Sequence, residues 1–316
     1  MNRYAQEISV WLTLGVMLAA LALFAPSFYQ PSPLLSFLTR QAPALIVTCG
    51  IALVLIARQI DISVASQFAV CSVCAGLLAT VHWPIWLVLT ASISMGALLG
   101  AVNGLFVATF RLPSIVVTLA TMVTWREILR WQREGAFVNL PAGLQWFGMS
   151  QTAGQLAILS VAVFVLVALG LASRHLAAGR MVYAVGSDAE AARLAGIPPQ
   201  LVTFVLFLLV GFLTGLAAVL NIVQSPQVDP KSGTGYELKA IASAVVGGVA
   251  ISGGRGNLWG TFAGFLLLAC VSPALVYLHI EAYWERAIAG AIILVAVLGD
   301  RMTSNRKPEV VATTAR

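Results

Sequence analysis

The residues most able to do chemistry in this 316-residue chain are two cysteines, three histidines and a glycine-rich turn. Cys71 and Cys74 form a C-x-x-C on one helical face, the spacing of a redox pair or of half a metal site. Their surroundings, AVCSVCAGLL, hold neither a cation nor a histidine to lower a thiol pKa. With Cys49 and Cys270 they read as packing residues inside apolar runs. His82, His175 and His279 are isolated from one another at expected loop ends, so no metal site or catalytic triad assembles. Gly254-Arg255-Gly256 with Gly260 has the wrong spacing for a dinucleotide turn and no strand before it, and reads as a tight turn between spans. No G-x-x-x-x-G-K-[ST] occurs, so any ATP hydrolysis belongs to another polypeptide. No cofactor and no metal is expected, and a membrane enzyme is disfavoured.

Other polar residues stand out because they interrupt apolar sequence. Asp61 is the main one: an ionised carboxylate at the centre of a membrane helix costs about 2.5–3.5 kcal/mol, so it belongs at an interface, in a polar cavity or beside a partner. Arg58, three positions earlier, is a candidate partner on a helix. Ser63, Asn103, Thr118, Thr121 and Asn221 also lie in apolar runs; hydrogen bonding between helices is the favoured use for them and pathway lining the alternative. Trp125, Arg126, Arg130, Trp131 and Arg133 close the fifth run with aromatics suited to a membrane interface. The arginines there would pair with an acidic rim on an external protein. Finally, Ser187 and Glu190 have the S-x-x-E spacing of a capping box, followed by AARLA and by Gly196 and Pro198-Pro199 as stop signals. This predicts a helix of about two turns, too short to be stable alone and therefore in need of a docking surface.

The elements that position these residues are membrane spans. Apolar residues make up 59% of the chain and charged residues 9%, too few charges to cover an aqueous surface. Apolar stretches near the length needed to cross a bilayer fall at Ile8–Ala25, Pro43–Ala57, Ile62–Thr80, Ile85–Thr109, Pro113–Trp131, Gln155–Ala172, Leu201–Val223, Leu238–Ile251, Leu258–Leu278 and Ala282–Leu298. The first is too long for a signal-peptide core and lacks a small-residue cleavage site, so it reads as an uncleaved span. The expectation is an all-α integral membrane protein of about ten transmembrane helices, occupying residues 1–299, with a tail over 300–316. Lys and Arg collect in Arg3, Arg58, Arg111, Arg174, Arg180, Arg193 and Arg255 and in the tail, which places both termini and the long 174–200 loop in the cytoplasm. That bias also explains the net charge of +6 without nucleic acid. Gly96, Gly100 and Gly104, Gly211 and Gly215, and Gly260 and Gly264 recur every four residues, as close helix packing in lipid requires.

The order RQIDISVAS, GALLGAVNGLFVATFRLPSIVVTLATM, GRMVYAVGSDAEAARLAGI and GTGYELKAIASAVVGGVAISGGRGNLWGTFAG resembles the ribose-type branch of bacterial ATP-binding-cassette importer permeases, over about residues 42–299. The resemblance implies a ten-helix fold in the plasma (inner) membrane. It also implies a pathway made by two permeases, as a homodimer or with a sister chain, a cytoplasmic cassette ATPase, and a periplasmic or extracellular sugar-binding protein. The ATPase would dock on Val185, Gly186, Ser187, Asp188, Ala189, Glu190, Ala191, Ala192, Arg193, Leu194, Ala195, Gly196 and Ile197. The insertion REILRWQREGAFVNLPAGLQWFG is most similar to rhamnose-type members, with ribose and a furanosyl autoinducer as alternatives. One departure is plain: Arg58-Gln59 stands where the family usually has two glycines. A branched-chain amino-acid permease is the nearest alternative, though the second half of the motif series favours sugar. An ion-coupled carrier acting alone would need membrane-embedded carboxylates, and only Asp61 and Glu127 qualify.

Overall fold

The computed structural model describes residues 3–277 together with Glu281, Trp284, Ala287, Ile288, Gly290 and Ala291. The tenth apolar run, with Glu285 and Arg286, lies outside the described residues apart from those isolated positions. His279 and residues 300–316 also lie outside them.

Eleven helices follow one another among the described residues: α1 (Arg3–Phe24), α2 (Pro31–Ile56), α3 (Val64–Thr80), α4 (Ile85–Gly104), α5 (Ser114–Arg133), α6 (Gln151–His175), α7 (Ala177–Ser187), α8 (Ala189–Leu194), α9 (Pro199–Ile222), α10 (Tyr236–Val246) and α11 (Leu258–Tyr277). Among the described residues extended structure is limited to a two-residue antiparallel pair, β1 (Val138–Asn139) with β2 (Gln227–Val228). Five helical segments among the described residues have the length and hydropathy to cross a membrane, and two shorter ones, Ile8–Phe24 and Val64–Thr80, are also apolar.

Apart from a residue or two at some ends, each apolar run from the first to the ninth falls on a helix as far as the described residues go, α4 being continued by a π turn over Leu105–Thr109, with two larger differences of extent. The second run is only the C-terminal part of α2, which starts at Pro31 and carries the polar Arg40 and Gln41. The eighth run is α10, 11 residues long, or about 16 Å, half the thickness of a hydrocarbon core. Gly247 and Gly248 end it, with Gly248 at φ 91°.

α2 is the hub. From Ala42 through Ala57 every residue is buried, as expected of a helix that is apolar on all sides and surrounded by protein. It packs against α6, α9, α10 and α11, while α4 lies along α9. The glycine stripes do what their spacing predicts: a Cβ on Gly96 would strike the carbonyl oxygen of Gly211, and one on Gly211 would strike that of Gly96. In the same way Gly260 of α11 lies against the carbonyl of Gly247.

Candidate coupling end and buried polar network

Two arrangements at one end of the bundle gather most of the polar residues singled out by sequence. The first is a backbone junction under α8. Helix α2 ends in a Schellman motif: Arg58 N donates to Leu55 O (2.9 Å) and Gln59 N to Val54 O (3.0 Å). Arg58 occupies the left-handed position, φ 61°, which a glycine would take at no steric cost. The resulting turn exposes Ile56 O, which accepts from Gly254 N at 2.8 Å. Gly186, near the end of α7, packs so closely on the same carbonyl that any Cβ there would collide with it. Tyr183 Oη of α7 donates to Gly256 O at 2.9 Å. The ends of α2 and α7 and the 250–257 turn are thereby held together.

From this junction α8 projects outward. Ala192 is its one buried residue, and Leu194 is 78% exposed. Its cap differs from the expected capping box by one residue. Asp188 is the N-cap, its Oδ1 accepting from Glu190 N (2.9 Å) and Ala191 N (3.0 Å), whereas Ser187 is the last residue of α7. The contact at Gly186 holds α7 helical through Ser187, so the cap falls to the next residue. Glu190 does not reach back to the backbone. It forms a two-pronged ion pair with Arg193 instead, which holds its carboxyl below the usual glutamate range. The stop signal is as read: Gly196 has φ 82°, with Gly196 N on Arg193 O and Ile197 N on Ala192 O, each at 3.0 Å.

The second arrangement is a buried hydrogen-bond network between α3, α4 and α5. Asp61 Oδ1 accepts from Ser63 N (2.9 Å) and Ser63 Oγ (2.6 Å). Ser63 Oγ in turn accepts from Gln67 Nε2 (2.8 Å) and Asn103 Nδ2 (2.7 Å). Thr121 Oγ1 donates to Asn103 Oδ1 (2.9 Å), and Thr118 Oγ1 donates to Ile60 O (3.3 Å) and Ser114 O (2.9 Å). Asp61, Ser63, Gln67, Asn103 and Thr118 are all fully buried. The favoured reading of these residues, hydrogen bonding between helices, thus describes their contacts. Two points change. Arg58 does not pair with Asp61, because the chain reverses at Arg58 and leaves its side chain exposed while Asp61 turns inward. Asn221 is half-buried on α9, outside this network. Gln67 was missed by sequence reading; its place one turn after Ser63 was the available signal.

The arginine cluster lies at the opposite end, beside a pocket of about 780 Å³ lined by Arg126, Glu127, Arg130, Trp131, Glu134, Gly135, Pro230 and Lys231. Arg130 is 3.7 Å from Glu127, and Arg133 donates to the carbonyls of Ala136 and Phe137, both at 3.3 Å. Arg126 is half-buried, and its Nη1 has no hydrogen-bond partner. Among the described residues no group of three or more His, Cys, Asp or Glu side chains could hold a metal.

A family model described as branched-chain amino acid transport system / permease component matches residues 34–297. The chain belongs to this permease family. The permease is similar to the ribose import permease protein of Escherichia coli, 30% identical over 294 residues covering 92% of each chain. It is also similar to autoinducer 2 import system permease proteins from Enterobacter sp. (31% identical, 94% of this chain and 87% of that one) and from Escherichia coli O157:H7 (32%, 90% and 85%). No solved structure matches it. The permease is a multi-pass protein of the bacterial plasma membrane and a transport subunit.

Proposed function

We propose that this permease imports a monosaccharide as the membrane half of an ATP-binding-cassette transporter, with a separate cytoplasmic ATPase as its motor. The observation that carries the reading is α8: a six-residue helix with a defined cap and stop, exposed except at Ala192, and seated on a junction of α2, α7 and the 250–257 turn. A helix this short does not persist by propensity alone. Its outward face, including Leu194, has the character of a surface awaiting a partner, and the junction beneath it would carry a push on α8 into the hub helix. In this proposal Val185–Ile197 is the ATPase-coupling segment, and the end bearing it is cytoplasmic, as are both termini of a ten-span chain.

The named relatives import ribose and autoinducer 2 and match nearly end to end, which favours a small polyol over the amino acid in the family description. A neutral sugar also suits a bundle with few buried charges. The arginine-lined pocket at the other end would receive an external sugar-binding protein, and a second permease, identical or sister, would complete the pathway. Asp61, Ser63, Asn103, Thr118 and Thr121 act as the brace of that pathway's inner end, and Asn221 remains a candidate for its wall.

The test is disulfide or bifunctional crosslinking from a cysteine at Leu194 to the cassette ATPase subunit. A crosslink that changes yield between ATP-bound and nucleotide-free states is expected. No crosslink at any position from Ala189 to Leu194 would remove the coupling assignment.

A further inference from the structure

Beside α8, a pocket of about 330 Å³ opens between the end of α2, the α4–α5 link and the starts of α8 and α9. Its charged lining consists of two arginines, Arg58 and Arg111, with no carboxylate among the lining residues. Both arginines are exposed, and among the described residues neither forms an ion pair. Both also have left-handed backbones, φ 61° and 57°. That conformation is uncommon for residues with a Cβ, so the fold carries strain at two places where glycine would be relaxed. The first residues of two long helices, Ser114 of α5 and Pro199 of α9, also line the pocket and turn the positive ends of their helix dipoles toward it. Two unpaired cations and two helix starts make one concave site whose lining is positive, with the exposed carboxylates Asp188 and Glu190 at its rim on either side of Ala189.

We infer that this pocket receives a carboxylate side chain of the ATPase subunit, as a second docking point beside α8. The inference rests on the coupling assignment proposed above. What selects a protein carboxylate over other anions is position: Val185 and Ala189 belong both to the pocket wall and to the coupling segment, so a partner covering α8 covers the pocket. The adjoining surface from Ser187 to Glu190 is exposed, and its two carboxylates are already engaged, Asp188 by the backbone amides of α8 and Glu190 by Arg193, whereas the two arginines are not. Arginine at both positions offers forked donation to a carboxylate, which a lysine would not.

The deciding variants are Arg58→Gly and Arg111→Gly, singly and together, in the complete transporter. Glycine suits both backbones, so a merely structural role for the arginines and a docking role predict different results. The expected result is a melting temperature at or above wild type, with ATPase affinity weakened about tenfold or more in the double variant and a flatter dependence of affinity on salt. A charge reversal of one acidic residue on the ATPase surface should match the loss and fail to add to it. Leu194→Asp serves as the reference for the coupling segment. If it weakens association while the double glycine variant binds as wild type, the pocket inference alone falls. If neither variant affects association, the coupling assignment falls with it. Loss of co-purifying anionic lipid from the double variant, at unchanged ATPase affinity, would overturn the inference in favour of a headgroup site.

Discussion

The amide of Gly254 donates to the carbonyl of Ile56 across 2.8 Å, joining two segments almost 200 residues apart directly beneath the exposed helix α8. Gly186 presses on the same carbonyl, so three chain segments meet at one oxygen. The junction depends on the absence of side chains. Gly186→Ala should therefore force these segments apart, lowering stability by about 1–3 kcal/mol, as overpacking does elsewhere. Thermal unfolding in detergent would register this, and ATPase stimulation should fall further than the loss of folded protein explains. An unchanged melting temperature would mean that the junction yields easily and transmits little.

The cap of α8 gives a prediction separating neighbouring residues. Asp188→Ala removes the acceptor for two backbone amides and should cost the helix about 1 kcal/mol, read as faster hydrogen exchange at Glu190 and Ala191. Ser187→Ala should leave exchange there unchanged. Glu190→Gln removes only an exposed ion pair and should have a small effect. The pair's contribution has a defined sign with pH. The folded pKa of Glu190 is depressed, so the contribution is complete above the unfolded value and fades as pH falls through the folded one, below the usual glutamate range.

At the buried network, Ser63 is the shared node. Ser63→Ala would leave Asn103 Nδ2 without its acceptor and Asp61 Oδ1 with the Ser63 amide but no hydroxyl, a cost of about 1–3 kcal/mol in melting experiments. Thr121→Val, at the half-buried edge of the network, should cost less. Equal losses from the two would indicate that the network is not centred on Ser63.

Much of this arrangement is legible in the sequence, for identifiable reasons. Long apolar runs announce helices because few other structures satisfy a backbone in lipid, and the four-residue glycine spacing announces close packing, though not that α4 and α9 are the partners. The first turns of α2 were hidden because Arg40, Gln41 and the serines before them break the hydropathy. The cap shifted by one residue because Ser187 and Asp188 are both good caps, and a tertiary contact at Gly186, invisible in sequence, chose between them. Arg58 and Asp61 have a helical pairing distance, but the left-handed turn at Arg58 removes them from a common helix. A tertiary contact decided the cap, and a backbone turn decided the fate of the Arg58–Asp61 pair.

Topology is open to a direct check. In a cysteine-free background, an impermeant reagent should label a single cysteine at Ser232 in intact cells and one at Ser187 only after permeabilisation. Labelling of both by one impermeant reagent added to intact cells would reverse the proposed orientation of α8.

In the proposed transporter this chain conducts but does not power transport, and reconstitution separates the two roles. Vesicles holding the permease, the cassette ATPase and the binding protein should concentrate labelled ribose, or the sugar that the binding protein carries, only when ATP is supplied on the α8 side. The permease alone should concentrate nothing under a proton or sodium gradient of either sign. Uphill uptake by the permease alone, driven by such a gradient, would mean that the chain is an ion-coupled carrier and not the passive half of an ATP-driven one.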